Sequence, residues 1–180
     1  RELRFPTVVG IIRHPTAGLG LFDAGYAPRI TELVRSWPER LYGMALEFNI
    51  PPEADPVAQL AARGIDTSDV EWVLLSHFHV DHVGALRDFT EARLIHSAEA
   101  WDAVKDPKSV AALRRAYMPA LIPEDFVERS APFRISEMVP LPEAYAPFDV
   151  GTDIFGDGSV VAVPLEGHAA GQVGLFIQTA

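Results

Sequence analysis

The segment Ser76-His77-Phe78-His79-Val80-Asp81-His82 directly follows the apolar run Trp72-Val73-Leu74-Leu75. The short, continuous apolar run predicts a strand that is buried on both of its faces. In an extended backbone, residues i and i+2 point the same way, so His77 and His79 are expected to converge on one metal ion. The stretch therefore predicts a metal centre at the end of a buried strand.

Asp81 and His82 come where the chain is expected to turn into a helix. They point to a neighbouring position and can serve a second ion. Imidazole and carboxylate ligands suit zinc, with iron and manganese as alternatives. Four candidate ligands at this spacing favour a metal centre over an exposed histidine-rich loop or core histidines bonded to the backbone.

The composition limits which metal ligands and nucleophiles the chain can provide. The chain has 180 residues, 48% of them hydrophobic, and a net charge of −10, and a single domain over residues 1–180 is expected. It contains no cysteine, which excludes disulfides, cysteine-ligated metals and a cysteine nucleophile. Any transition metal must therefore be held by histidines and carboxylates.

The charge and hydropathy patterns bear on partners and location. The negative charge argues against a general nucleic-acid binder, which needs a basic face. No apolar run approaches the roughly 20 residues that span a bilayer, and no signal-peptide pattern is present. A cytoplasmic protein is expected, and a homodimer is left open. The chain starts at Arg1 rather than Met, so residues before it are expected.

The pattern of apolar residues and turn signals predicts strands at both ends of the chain and helices between them. This mixture suits stacked sheets with outer helices. The predicted strands cover residues 5–13, 19–23, 72–75, 93–96, 160–163 and 173–178. The predicted helices cover residues 30–37, 55–64, 83–89 and 98–128, and residues 130–150 are expected to be irregular.

Three segments together resemble one known family. Residues 74–84 resemble the signature of the metallo-β-lactamase fold superfamily. Phe22-Asp23-Ala24-Gly25 is similar to the family's upstream Asp-x-Gly, and residues 163–168 are similar to its later Gly-His loop. The resemblance runs from about residue 5 to residue 180. It implies an α/β fold, a four-layer αββα sandwich of two stacked mixed β-sheets with outer helices.

The resemblance also implies a ligand set for two divalent metal ions, zinc in the first place and iron or manganese as alternatives. The first ion would be bound by His77, His79 and His168, and the second by Asp81 and His82. Asp81 would also act as the catalytic residue that orients a metal-bound hydroxide for attack on a carbonyl.

Asp23 would lie behind a ligand histidine and accept a hydrogen bond from its ring N–H, which fixes the tautomer of that ring. An ordinary turn aspartate is the alternative.

Two features depart from the family pattern. Ala169-Ala170-Gly171 replaces the usual Thr-Pro-Gly after the Gly-His loop. The family's bridging aspartate and last histidine are missing before Ala180. We expect that the chain lacks its C-terminal part, with natural loss of the second site as the alternative.

Within the superfamily, the motif, the opening hairpin and Phe155-Gly156-Asp157-Gly158-Ser159 look most like the N-acyl-homoserine lactonase-like branch. That resemblance implies a small-molecule substrate and the hydrolysis of a lactone, ester or thioester, with an acyl-homoserine lactone as the leading substrate. The absence of cysteine excludes the commonest subclass of zinc β-lactamases.

Three other functions stay open. A glyoxalase-II-like thioesterase would need a cationic patch, for which Arg114 and Arg115 are the candidates. Nucleic-acid processing is disfavoured by the acidic balance. A non-catalytic domain that binds metal or a partner would follow if the second site is truly absent.

An apolar lid is the remaining hypothesis about the site. Side chains in the predicted helical insertion, residues 98–128, could cover the metals and hold an acyl chain, although core packing is the commoner fate. The candidates are Trp101, Tyr117, Met118, Leu121 and Phe126. His14 precedes Pro15 in a turn and is expected at the surface, whereas His96 ends a strand and is expected to be a hydrogen-bonded buried or edge residue.

Overall fold

The first sheet contains the strand that leads into the histidine motif. A computed structural model describes residues 7–106 and 116–179. Its first sheet has five strands in the order β1-β2-β3-β4-β5. β1 and β2 form an antiparallel hairpin, and β2 through β5 run parallel. The strands are β1 (Gly10–His14), β2 (Gly18–Phe22), β3 (Trp72–Leu74), β4 (Arg93–Ser97) and β5 (Ser130–Phe133).

The second sheet carries the loop that holds His168. Within the described residues it has four strands, all antiparallel, in the order β6-β7-β8-β9. The strands are β6 (Val139–Pro140), β7 (Val150–Asp153), β8 (Val160–Pro164) and β9 (Val173–Ile177).

The described helices are short. They are α1 (Ile30–Leu33), α2 (Arg40–Ala45), α3 (Pro56–Ala61), α4 (Val80–Val83), α5 (Ala98–Asp102) and α6 (Phe126–Arg129). Single 3₁₀ turns cover Pro52–Ala54, Thr67–Asp69, Leu86–Asp88, Pro119–Leu121, Ile135–Glu137 and Glu143–Tyr145. None of the helices in the described ranges has the length and apolar content that a bilayer crossing requires.

β3 explains how the core is divided. Trp72 and Leu74 pack in the cluster between the two sheets, whereas Val73 and Leu75 pack in the cluster on the helix side of the first sheet. Successive side chains of a strand point to opposite faces, so a strand buried on both sides needs apolar residues at every position. The fold is therefore a mixed α/β structure with two stacked sheets and helices, as the sequence predicts.

The segment from residue 98 to residue 128 is not one helix. Among its described residues, only α5 and α6, near its two ends, are α-helical, and the 3₁₀ turn Pro119–Leu121 precedes α6. Pro119 and Pro123 lack an N–H and disfavour continuous helix, so the long helical prediction is wrong. Val110 and Leu113, which the prediction placed on its apolar face, lie outside the described residues.

Two further helices differ from the expected bounds. α1 ends at Leu33 instead of reaching Trp37, and α4 begins at Val80 rather than Val83. The early start follows from His79, whose extended backbone (φ −67°, ψ 154°) caps α4. The motif itself therefore forms the first helical turn.

Residues 130–150 are not irregular, because they contain β5, β6 and the start of β7. Pro132 and Pro140 argued against strands there, since proline has no N–H to donate. Both lie on strands at the edge of their sheets, where one side of the backbone needs no partner. The pairing of β5 with β4 and of β6 with β7 therefore forms strands that the local sequence did not predict.

His14 is buried, with 6% of its surface exposed, so the expectation of a surface residue is wrong. Its Nδ1 accepts from the backbone N–H of Ala17 at 2.9 Å. Its Nε2 therefore carries the proton and donates to Oγ of Ser159 at 2.8 Å. This contact joins the β1–β2 turn to the β7–β8 hairpin. It is a tertiary contact that the local sequence does not predict.

Candidate metal centre

The segment between β3 and α4 positions the histidine motif. The backbone leaves the sheet after Leu74 and stays irregular until α4 begins at Val80. The N–H of Val80 donates to the carbonyl oxygen of Ala116 at 2.9 Å, which anchors the start of the helix. The loop thus presents His77 and His79 at the tip of the strand, and α4 presents Asp81 and His82 beside them.

His77, His79 and His168 are brought together. One ring nitrogen of each lies within 4.8 Å of those of the other two. The ring centroids are 4.4 Å apart for His77 and His79, 4.6 Å for His79 and His168, and 5.1 Å for His77 and His168. His77 Nε2 is buried and has no hydrogen-bond partner. A buried nitrogen without a partner normally costs stability, so this arrangement fits a divalent ion that the three imidazoles would bind.

His77 and His79 are kept neutral in the metal-free fold. Burial lowers the pKa of His77 to about 3, and the neighbouring rings of His82, His79 and His168 act in the same direction. Burial also lowers the pKa of His79, and His168 adds to the effect. Since a metal binds the unprotonated imidazole nitrogen, His77 and His79 are in the protonation state that coordination requires.

The loop between β8 and β9 holds His168 against the motif. The N–H of Val173 donates to the carbonyl oxygen of Ser76 at 3.0 Å, and Oγ of Ser97 donates to the carbonyl oxygen of Gly171 at 2.6 Å. A Cβ at Gly171 would lie 2.3 Å from the backbone nitrogen of Ala100. The glycine therefore permits a close approach to α5, even though Ala169 and Ala170 depart from the family pattern.

Asp23 lies at the end of β2 with a positive φ of 64°, and its side chain faces the motif. Oδ1 accepts from the backbone N–H of Ser76 at 2.7 Å, and Oδ2 accepts from Oγ of Ser76 at 2.9 Å. Oδ2 also accepts from Nδ1 of His82 at 2.7 Å. The carboxylate of Asp23 thus contacts both Ser76 and His82 of the motif.

Sequence reasoning assigned no role to Ser76. Besides its bonds to Asp23, its hydroxyl lies 2.9 Å from Nδ1 of His77 and 3.2 Å from Nδ1 of His82. The only signal in the sequence was its position directly before the first histidine of the motif.

Asp81 and His82 form a charged pair next to the three histidines. Oδ2 of Asp81 lies 3.3 Å from Nε2 of His82, and the rings of His77 and His82 are 4.0 Å apart. Burial opposes ionisation of both groups. Hydrogen bonds to Asp23 and Asp81 nevertheless raise the pKa of His82 to about 9, and the His82 bond lowers the pKa of Asp81. The pair thus places a carboxylate and an imidazole next to the three histidines.

Aromatic side chains that sequence reasoning did not single out lie on the Asp81 side. The rings of Tyr26 and Phe48 are 5.6 Å apart, and those of Tyr42 and Phe48 are 5.8 Å apart. Burial, followed by the charge of Asp81, raises the pKa of both tyrosines. Both tyrosines are therefore close enough to the Asp81 carboxylate for its charge to affect their pKa.

The predicted lid residues pack in the helix-side core or against it. Tyr117, Met118, Leu121 and Phe126 are buried in the helix-side core. Trp101 is half-buried, and its ring lies 4.4 Å from that of Phe126 and 5.4 Å from that of Phe78. Their role in holding substrate stays a prediction. Arg114 and Arg115, the cationic pair of the thioesterase alternative, lie outside the described residues.

The fold and the cluster define a class of protein with two stacked sheets and a histidine metal centre at the end of a buried strand. The sequence profile of the metallo-beta-lactamase superfamily matches residues 4–179. The chain belongs to this superfamily.

Curated relatives point to one branch of it. The chain is 32% identical to the N-acyl homoserine lactonase AttM of Azorhizobium caulinodans, over 98% of this chain and 61% of that protein. It is 33% identical to the probable metallo-hydrolase Rv2300c of Mycobacterium tuberculosis, over 67% of this chain and 38% of that protein. The chain thus spans about three-fifths of the length of the lactonase that it matches.

Solved structures share the fold. A variant of AiiA from B. thuringiensis, with N-decanoyl-L-homoserine at its active site, has a TM-score of 0.66 at 17% identity, over 94% of this chain and 57% of that chain. AidC, a dizinc quorum-quenching lactonase, has a TM-score of 0.57 at 17% identity, over 94% and 51%.

Proposed function

We propose that the chain forms the metal-binding part of a metal-dependent hydrolase that cleaves lactone, ester or thioester bonds. N-acyl-homoserine lactones are the leading substrate class. The observation that carries the proposal is the convergence of His77, His79 and His168, with a buried nitrogen of His77 left without a partner. The superfamily match and the lactonase relatives support the same conclusion.

In this proposal the three histidines bind the first divalent ion, and Asp81 and His82 contribute to a second. Zinc suits these ligands, with iron or manganese as alternatives. When bound, the ion supplies Lewis acidity that lowers the pKa of water and polarises a substrate carbonyl. Asp81 holds and orients the attacking water and accepts its proton at a carboxylate oxygen. Asp23 keeps His82 in place through Nδ1.

The choice of a lactone rests on the branch of the family and on the apolar surroundings of the motif. Trp101 beside Phe78 of the motif, and the pair of Tyr26 and Phe48 near Asp81, are only half-buried and offer apolar surface for an acyl chain. The thioesterase alternative depends on a cationic patch. The described residues provide no observation that favours it.

The test is a hydrolysis assay with the full gene product, loaded in turn with zinc, manganese and iron. The substrates are N-hexanoyl- and N-decanoyl-homoserine lactone, a simple aryl ester and a glutathione thioester. We expect lactone opening that a chelator abolishes and that added metal restores. His79→Ala should lower zinc affinity by about 100-fold or more, since loss of a ligand exceeds the 10–100-fold cost of losing its support.

His96→Gln is the matched control, because His96 is also buried but bonds only to Ser97 and Ser130 among the described residues. It should leave the bound metal unchanged. Thioester cleavage in preference to lactone opening would favour the alternative enzyme. Metal binding without hydrolysis of any substrate would indicate a non-catalytic domain.

A further inference from the structure

We propose that Ser76 is a positioning residue, which links Asp23 to His77 and fixes the His77 proton on Nδ1. The Nε2 lone pair is thereby kept free and aimed at the metal site. The inference deepens the proposed function, because it rests on His77 being a metal ligand. The role of Ser76 is separate from that of Asp23, which contacts His82 directly but reaches His77 only through the serine.

The direction of each hydrogen bond follows from counting protons. The Asp23 carboxylate accepts the backbone N–H of Ser76 at one oxygen and its hydroxyl at the other, at 2.7 and 2.9 Å. A hydroxyl has a single proton, and that proton is directed to Asp23. Oγ of Ser76 must therefore accept its remaining bonds, including the one to Nδ1 of His77 at 2.9 Å. His77 consequently carries its proton on Nδ1.

The other nitrogen of His77 agrees with this assignment. A neutral imidazole with its proton on Nδ1 has its lone pair on Nε2, and Nε2 is the buried atom without a partner. The reverse tautomer would place an N–H donor at this position, facing the rings of His79 and His168. Such a donor would have no acceptor and would prevent coordination.

The surroundings hold the serine in this geometry. Ser76 is 5% exposed, and its carbonyl oxygen accepts from the N–H of Val173 at 3.0 Å. Asp23 is held in a left-handed backbone conformation and donates its own N–H to the carbonyl oxygen of Leu74 at 2.8 Å. Both ends of the link are therefore fixed by the backbone of neighbouring strands, as a positioning role requires.

The experiment reads the tautomer in the metal-free protein by long-range ¹⁵N–¹H correlation of labelled histidines. Wild type should show His77 as the Nδ1–H tautomer. Ser76→Ala should shift His77 towards Nε2–H, and Ser76→Thr, which keeps the hydroxyl, should restore the wild-type pattern. Zinc affinity, measured by chelator competition, should fall 10–100-fold in Ser76→Ala and recover in Ser76→Thr.

Ser130→Ala is the matched control, since Ser130 bonds to His96 Nε2 at 2.6 Å and lies outside the site. It should change the signals of His96 and leave those of His77 unchanged. An Nε2–H tautomer of His77 in the wild type would overturn the proposal, and so would an unchanged tautomer in a folded Ser76→Ala protein. Neither readout depends on hydrolysis, so failure of the proposed enzyme activity would be recognised separately.

Discussion

At the scale of single residues, the hydrogen-bond partners of the two ring nitrogens distinguish a structural histidine from a candidate ligand. His96 is 1% exposed. Its Nδ1 donates to the carbonyl oxygen of Ser97 at 2.9 Å, and its Nε2 accepts from Oγ of Ser130 at 2.6 Å. His77 is equally buried but has a partner on one nitrogen only. The expectation that His96 is a hydrogen-bonded buried residue is therefore confirmed.

The protonation of His96 should make stability depend on pH. Burial lowers its pKa below the ordinary 6.5, against weaker opposing effects of Ser97 and Asp102. The neutral ring therefore contributes its full stability above pH 6.5, and the contribution is lost as the pH falls below that value. The unfolding free energy of wild type minus that of His96→Gln should shrink between about pH 7.5 and pH 5, as measured by urea denaturation. A difference that does not change with pH would contradict this assignment.

At the scale of elements, the position of α4 is fixed by close backbone contact with the segment that follows β2. Gly84 caps its C-terminal end, and a Cβ there would lie 2.5 Å from the carbonyl oxygen of Gly25 and 2.9 Å from the nitrogen of Ala27. The N–H of Ala24 also donates to the carbonyl oxygen of His82 at 2.7 Å. The segment after β2 and the helix of the motif are thus locked together, which places Asp23 behind His82.

Gly84→Ala should separate these two segments. A side chain has no space against backbone atoms, so overpacking should cost about 2 kcal/mol of unfolding free energy. Zinc affinity should fall with it, because α4 carries Asp81 and His82. Gly64→Ala is the control: Gly64 has φ +71° and no atom within 4 Å of the position that a Cβ would take, so it should lose about 1 kcal/mol from backbone strain alone. Equal zinc affinity in both variants would refute the role of the close approach.

At the scale of the whole molecule, the two sheets are joined by apolar packing and by a polar contact at His14. Phe155 of the β7–β8 hairpin packs against Trp72 of β3, with ring centroids 5.0 Å apart, and against His14 at 4.4 Å. Ser159 donates its hydroxyl proton to Asp157 at 2.6 Å, so its oxygen is available to accept from His14. The second sheet, and with it the loop of His168, is positioned through this interface.

His14→Ala should weaken the joint between the sheets. It removes a buried ring and leaves the N–H groups of Thr16 and Ala17 without their acceptor, so we expect a loss of about 3 kcal/mol in urea denaturation. Ser159→Ala removes the bond accepted from His14 and the bond donated to the exposed Asp157, but it keeps the buried ring, so it should cost only about 1 kcal/mol. If the two variants lose the same amount, the ring of His14 does not join the sheets as described.

Much of the site could be predicted because its chemistry is concentrated in a short stretch. His77, His79 and Asp81 share one loop and the helix turn after it, and their spacing already predicts a metal centre. The partners of that loop were harder to predict. Ser76 and Gly84 act through hydrogen bonds and close contacts with residues about 50 to 60 positions away in the chain, and a single sequence carries no signal of such distances.

The sequence by itself determined the elements whose signal is local: the buried strand β3, the opening hairpin, the N-terminus of α3 at Asp55, and the candidate ligands of the motif. Only the tertiary structure decided that Ser130–Phe133 and Val139–Pro140 form strands, that His14 is buried, and that Ser76 contacts both Asp23 and His77. The physical reason is the range of the interactions. Side-chain alternation and capping act within a few residues, whereas edge-strand pairing and sheet packing depend on partners that the fold brings together.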